Sequence, residues 1–229
     1  MKIAYVVPSR GRPENVKRLA QAFKKTEAKA DLWVVIDDND WERKVYEQNA
    51  EEYEYGYLIV ENLSSGMAAP LNLGVEILMN DEQYDHYDYF GFMGDDHLPR
   101  TPFWDYILQL AIAGQKNGIA YGNDLLQGGN LPTACLMNRT IVDHLGGMVP
   151  AGFQHLYLDN FWKRLGTDID GLYYKPDVII EHLHPLARKS VMDEHYARVN
   201  AQHVYDADRE RYEQYINSSE YADLVAILR

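Results

Sequence analysis

Tyr87-Asp88-Tyr89-Phe90-Gly91-Phe92-Met93-Gly94-Asp95-Asp96-His97-Leu98-Pro99-Arg100-Thr101-Pro102 is the stretch from which the rest of this chain is best read. Residues 87–93 are aromatic and apolar without clean alternation, which suits a strand buried on both faces better than a helix. Gly94 then lets the backbone turn, two carboxylates and an imidazole follow without a gap, and Pro99 and Pro102 stop a helix from forming directly after them. Adjacent ionised aspartates repel, and they persist where a cation, or a substrate carrying one, neutralises them. The carboxyl ends of strands in an open α/β sheet are also where ligands bind. Solvated loop aspartates would explain the pair equally well on these residues alone.

Outward from this strand the chain alternates. Residues 2–8 form a short apolar run ending at Pro8, and Ser9-Arg10-Gly11-Arg12-Pro13 leads into a helix with Pro13 in its first turn. Val16, Leu19, Ala20 and Phe23 recur at helical spacing. Leu32 to Ile36 reads as a second buried strand closed by Asp37-Asp38-Asn39-Asp40, and Tyr57 to Val60 as a third. A loop-to-helix passage opens at Gly66, with Leu71, Val75 and Leu78 as its inner face. A helix follows from about Phe103 to Ala113. Strand alternating with helix argues for an α/β domain with a largely parallel sheet. After Gly118 the pattern changes: Tyr121-Gly122-Asn123-Asp124 and Leu126-Gln127-Gly128-Gly129-Asn130 read as turns. Thr133 to Met137 reads as a strand, Arg139 to Leu145 and Leu156 to Leu165 as helices, and Tyr173 to Ile180 as another strand. From Ala187 onward the chain is polar, tyrosine-rich and helical in pattern.

The chain's 229 residues suffice for one sizeable core, and 46% hydrophobic with 25% charged residues is ordinary for a globular protein. A net charge of −13 with no Lys/Arg-rich tract lacks the electrostatic footprint of a duplex-binding protein. The single cysteine, Cys135, forms no internal disulfide, and the opening run is too short for a signal peptide or membrane span. These features lead us to expect a single-domain cytoplasmic protein without a membrane partner.

Four further groups carry chemistry. Backbone N–H groups and two guanidinium groups in Ser9-Arg10-Gly11-Arg12 suit a phosphate or nucleotide, although neither a Walker loop nor a dinucleotide fingerprint is present. Asp37 and Asp38 close the second strand, where a carboxylate accepts from a base N–H or ribose hydroxyls, or caps a helix. His182 and His184 flank Leu183 after an apolar strand, so alternation puts both imidazoles on one side, and with carboxylates they suit Mn²⁺. Asp159 starts a helix; facing the site, it is the natural general base for a hydroxyl.

In this order the motifs resemble family-2-like glycosyltransferases of the GT-A fold, especially the compact bacteriophage versions, over roughly residues 3–195. Val6-Val7-Pro8-Ser9-Arg10-Gly11-Arg12-Pro13 looks like the opening strand and nucleotide loop, and Asp37-Asp38-Asn39-Asp40 like the stretch that holds the nucleoside. Asn72-Leu73-Gly74 matches the Asn-x-Gly of the family. Gly94-Asp95-Asp96-His97 stands in the place of the metal-binding Asp-x-Asp, and Asp159 near the catalytic base. Glu181-His182-Leu183-His184-Pro185 looks like the late histidine that returns to the metal, with Lys189 and Asp193 continuing the pattern. Two departures stand out: the metal motif reads Gly-Asp-Asp-His, and the expected Glu-Asp dyad is Leu158-Asp159.

The resemblance implies a GT-A domain over 1–229, with a mixed, mostly parallel sheet flanked by helices. Residues 1–118 form the nucleotide-sugar half, 119–186 the acceptor and metal half, and 187–229 a helical tail. It implies an inverting hexosyl- or pentosyltransferase using a nucleotide-diphosphate sugar and Mn²⁺ or Mg²⁺. Asp96 and His184 hold the metal, with Asp95, His97 and His182 as further candidates, and Asp159 is the base. Pro8, Ser9, Arg10, Arg12, Asp37, Asp38, Asn72, Asp95 and Lys189 bind the donor. Trp104, Tyr157 and Trp162 are candidates for stacking on a sugar. The acceptor is open: a modified nucleic-acid base, a protein or a glycan. The alternatives are a sugar-phosphate nucleotidyltransferase, whose glycine-rich loop with a Lys is missing here, and a non-catalytic nucleotide-sugar binder.

Overall fold

A computed structural model describes residues 1–61, 66–84, 86–184 and 201–229. In chain order its elements are β1 (Ile3–Ser9), α1 (Pro13–Lys25), β2 (Asp31–Asp37), α2 (Arg43–Tyr53), β3 (Gly56–Val60), α3 (Ala68–Asn80), β4 (Tyr89–Phe92), β5 (His97–Pro99), α4 (Trp104–Ile112) and β6 (Ile119–Asn123). A 3₁₀ turn (Gly128–Asn130) then leads to β7 (Cys135–Asn138), α5 (Arg139–Leu145), α6 (Leu158–Asp168), β8 (Leu172–His182), α7 (Gln202–Ile216) and α8 (Ser219–Leu228).

The strands form one sheet of order β3-β2-β1-β4-β7-β6-β8-β5. β3, β2, β1 and β4 are mutually parallel, and β6 pairs parallel with β8. β7 runs antiparallel to both its neighbours, and β5 runs antiparallel to β8 at the edge. The sheet is thus mixed and mostly parallel, flanked by helices on both faces. Alternation along β1 sends Tyr5 and Val7 to one face, where α1, α2 and α4 cover them with Leu19, Phe23, Tyr46, Trp104 and Leu108. Ala4 and Val6 point to the other face, against Leu71 and Val75 of α3, Phe161 and Trp162 of α6, and Leu224 of α8. Both faces being covered explains the unbroken apolar runs of β1 and β4. Gly91 in β4 serves close approach: a Cβ there would stand 2.4 Å from the Tyr5 ring.

The inner-face residues expected for α1 and α3 are all buried. One reading needs correction, and one strand was not read in the sequence. Tyr121 to Asn123 is strand β6, not a turn; Gly122 is there because the backbone of β8 comes close, with Val178 O 2.5 Å from where a Cβ would be. His97 to Pro99 is a short edge strand, and Pro99 is tolerated in it because it stands at the sheet margin. Helix α2 went unread because only Tyr46, Asn49 and Ala50 of its residues are buried. Among the described residues no helix is long and apolar enough to cross a membrane.

Candidate active site

The carboxyl ends of β1, β2, β4, β6 and β8 converge, and the carboxylates and imidazoles singled out in the sequence gather there. At the end of β1, Ser9 Oγ donates to Asp95 Oδ2 (2.6 Å) and shares a hydrogen bond with the Tyr46 hydroxyl (2.9 Å). The Arg12 N–H donates to that same hydroxyl (2.7 Å). Asn15 Nδ2 donates to Asp95 Oδ1 (3.2 Å), and the Arg12 guanidinium stands 3.7 Å from it. Asp95 therefore braces the loop between β1 and α1. Burial, and then the charge of Asp96, push its carboxyl up to about 6, although Arg12, Ser9 and Asn15 oppose the shift.

Beside it, Arg10 donates to Asp37 and to Asn39 Oδ1 (2.7 Å) and lies 5.6 Å from the centroid of the Trp41 ring. The Gly11 N–H donates to Asp40 Oδ2 (2.8 Å), and Asp40 Oδ1 receives the Glu42 N–H (2.8 Å). Gly11 has φ +66°, and a Cβ on it would stand 2.3 Å from Trp41. The loops after β1 and β2 are thus locked together, Pro8 lies part-buried in β1, and Asp38 and Trp41 project into solvent, Trp41 71% exposed. Tyr46, Asn15 and Asp40 were not singled out as site residues in the sequence because nothing local marks their contacts.

The metal candidates meet through strand pairing. His97 of β5 is the register partner of His182 of β8, and their rings stack at 4.0 Å with an interplanar angle of 21°. Asp96 lies alongside the pair and faces a nitrogen of each ring: Oδ1 is 3.3 Å from His97 Nδ1 and Oδ2 is 3.4 Å from His182 Nε2. Ligand atoms of Asp96, His97 and His182 all fall within 4.8 Å of one another. His184, the imidazole favoured in the sequence, packs edge-on against His182 with centroids 4.9 Å apart. Burial raises the Asp96 carboxyl, but His182 and His97 outweigh it and hold it well below the usual carboxylate range. Burial and the charge of His182 lower both His97 and His184, which favours neutral imidazoles. Burial also works to lower His182, yet Asp124 and Asp96 overcome it and raise the ring to about 9. Among the described residues His97 Nε2 is buried without a hydrogen-bond partner, and one carboxylate with two or three imidazoles is a donor set suited to Mn²⁺ or a similar divalent ion. These residues fit such an ion.

On the far side stands Asp124, at the end of β6. Its Oδ1 receives the N–H groups of Leu126 (2.9 Å), Gln127 (2.7 Å) and Gly128 (2.9 Å). Its Oδ2 receives Thr133 Oγ1 (2.9 Å) and lies 3.8 Å from His182 Nδ1. Burial works against ionisation, but His182, these N–H groups and Thr133 keep the carboxyl well below its ordinary value. The sequence signal for Asp124 is an aspartate before a Gly-rich turn, which reads only as a turn. Asp159 sits in the first turn of α6 and accepts the Asn160 N–H (2.9 Å). It is close enough to His182 and Asp124 to feel their charges, and burial raises its carboxyl. The loop entering α6 is fixed by buried Asp208 of α7, whose Oδ2 receives the His155 (3.1 Å) and Leu156 (2.8 Å) N–H groups.

Other expectations fall elsewhere. Asn72 faces the turn after α5: Nδ2 donates to Val149 O (2.9 Å), and Oδ1 accepts from Met148 N (3.0 Å) and Val149 N (3.3 Å). Trp104 and Trp162 are core residues, 0% and 1% exposed, so neither offers a face to a sugar. Tyr157 packs against Tyr205 and Tyr212 of α7. Lys189 and Asp193 lie outside the described residues.

No family model matches this sequence, and no curated protein matches it. Solved structures do. The mannosyltransferase PcManGT of Pyrobaculum calidifontis, solved with GDP-Man and Mn²⁺, is similar with a TM-score of 0.61 at 13% identity, over 99% of this chain and 73% of that one. Glucosyl-3-phosphoglycerate synthase of Mycobacterium tuberculosis, solved with Mn²⁺ and UDP, is similar with a TM-score of 0.59 at 12% identity, over 92% and 79%. A 4-diphosphocytidyl-2C-methyl-D-erythritol synthase of Anaerococcus prevotii reaches 0.53 at 10% identity, over 92% and 96%. The fold is that of the GT-A nucleotide-diphospho-sugar transferases.

Proposed function

We propose that the chain is a divalent-metal-dependent glycosyltransferase that moves a sugar from a nucleotide-diphosphate donor to an acceptor hydroxyl with inversion. The observation that carries this reading is Asp96 facing a nitrogen of each of two stacked imidazoles, His97 and His182, at the strand ends of a GT-A fold. Asp96, His97 and His182, with His184 beside them, would hold the ion, which when bound neutralises charge on the departing diphosphate. Asp38, exposed at the end of β2, accepts from the base or ribose, and Arg12 faces the phosphates from the β1 loop. Arg10 reaches them only by leaving Asp37 and Asn39. Asp159 takes the proton of the acceptor hydroxyl as its oxygen attacks the anomeric carbon and the bond to the diphosphate breaks. The raised pKa of its part-buried carboxyl makes it a stronger base than a solvated aspartate.

The test is thermal unfolding with UDP, GDP, ADP, CDP or TDP, each with and without Mn²⁺, since binding to the native state raises the midpoint. One nucleotide should give a shift that requires the metal, and Asp96→Ala should abolish it. No shift with any nucleotide at millimolar ligand, or an Asp96→Ala protein with normal turnover, overturns the reading. Pyrophosphate release from an NTP and a sugar phosphate would instead identify a nucleotidyltransferase.

A further inference from the structure

We propose that Asp124 is a positioning residue that sets His182 for metal binding and, with the same carboxylate, builds the loop at 126–128. The inference rests on the metal-site reading above. An imidazole binds a metal through the nitrogen that carries no proton, and a carboxylate facing the other nitrogen fixes which one that is. His182 is placed for this: Nε2 faces Asp96 Oδ2 (3.4 Å), and Nδ1, which makes no hydrogen bond among the described residues, stands 3.8 Å from Asp124 Oδ2, close enough for the carboxylate's charge to favour a proton there. The backbone reinforces it, because the His182 N–H donates to the Asp124 carbonyl (3.0 Å) and the Leu183 N–H to the Asp96 carbonyl (2.8 Å). The end of β8 is thereby stitched to both carboxylate-bearing segments, and the ring of His182 stands between their side chains.

The other oxygen of Asp124 is committed to the loop. Three successive N–H groups converge on Oδ1, which gives the 124–128 turn its shape. That turn holds Leu125 in a left-handed conformation (φ +58°) and leaves Leu125 50% and Leu126 38% exposed. A bulky non-glycine residue at positive φ is strained and persists only where its surroundings impose it. Asp124 is 2% exposed, so neither role is that of a solvated charge. One side chain therefore links the His182 imidazole to the 124–128 loop.

Asp124→Asn separates the two roles. Its amide oxygen can still accept the three loop N–H groups, while its NH₂ would face His182 Nδ1 as a donor and push the ring toward the tautomer with a proton on Nε2. Mn²⁺ alone, titrated against the thermal midpoint, should bind this variant about 10- to 100-fold more weakly than the parent. Chymotrypsin cleavage at Leu125–Leu126 should stay as slow as in the parent, whereas in Asp124→Ala it should be faster. An Asp124→Asn protein with parental Mn²⁺ affinity, or an Asp124→Ala loop as protected as the parent's, overturns the proposal while leaving the metal site standing. A parent that shows no Mn²⁺ shift overturns both. Should the variants not fold, histidine ¹⁵N spectra of the parent with Zn²⁺ decide the first role. A proton on His182 Nδ1 with the metal at Nε2 is the expected result, and the reverse refutes it.

Discussion

Asp95 offers a quantitative test of how this site trades stability for function. Its carboxyl titrates near 6 in the folded protein because it is buried beside Asp96, against about 3.9 in an unfolded chain. The native state therefore binds this proton more tightly than the unfolded state does. The stability that the proton contributes is fully present below about pH 4 and is lost as pH rises through about 6. A gap of about two units at about 1.4 kcal/mol each makes ionised Asp95 cost about 3 kcal/mol at neutral pH. For a chain of this size that corresponds to a melting temperature lower by about 6–12 °C. Asp95→Asn removes the charge and keeps the shape. Thermal unfolding in EDTA should find the variant more stable than the parent at about pH 8, with the difference closing by about pH 4.5. A difference that does not change with pH, or a variant less stable at the higher pH, refutes the reasoning. It would mean that the bonds from Ser9 and Asn15 outweigh burial and the repulsion of Asp96.

Three further outcomes follow from the geometry. Asn72→Ala leaves the Met148 and Val149 N–H groups without their acceptor and should cost about 2–4 kcal/mol in urea unfolding; if Asn72 instead serves the nucleotide, stability will hold and the nucleotide-induced shift will fall. Gly91→Ala pushes a methyl into the buried Tyr5 ring and should destabilise by about 1–3 kcal/mol, a cost that a parental melting temperature would exclude. Asp159→Asn should lower turnover about 100-fold or more with Mn²⁺ affinity unchanged, and parental turnover would remove Asp159 from the role of base.

The sequence by itself determined the elements that satisfy themselves locally. The apolar runs of β1, β2 and β4 read as buried strands, and the spacing of Val16, Leu19, Ala20 and Phe23 sets the inner face of α1. Asp95-Asp96-His97 after a buried strand marked the functional end of the sheet, because adjacent acids at such a place need a reason. Only the tertiary structure divided the pair. Asp95 turns back to Ser9 and Asn15 as a brace, while Asp96 turns toward two imidazoles. It also paired His97 with His182 across 85 positions of sequence, through an edge strand three residues long whose Pro99 argues against any strand when read alone. Asp124 reads as a turn residue and Trp104 and Trp162 as ring platforms until packing assigns their partners. A side chain's local pattern fixes its periodicity and charge; which buried groups it must satisfy is decided by the segments that fold against it.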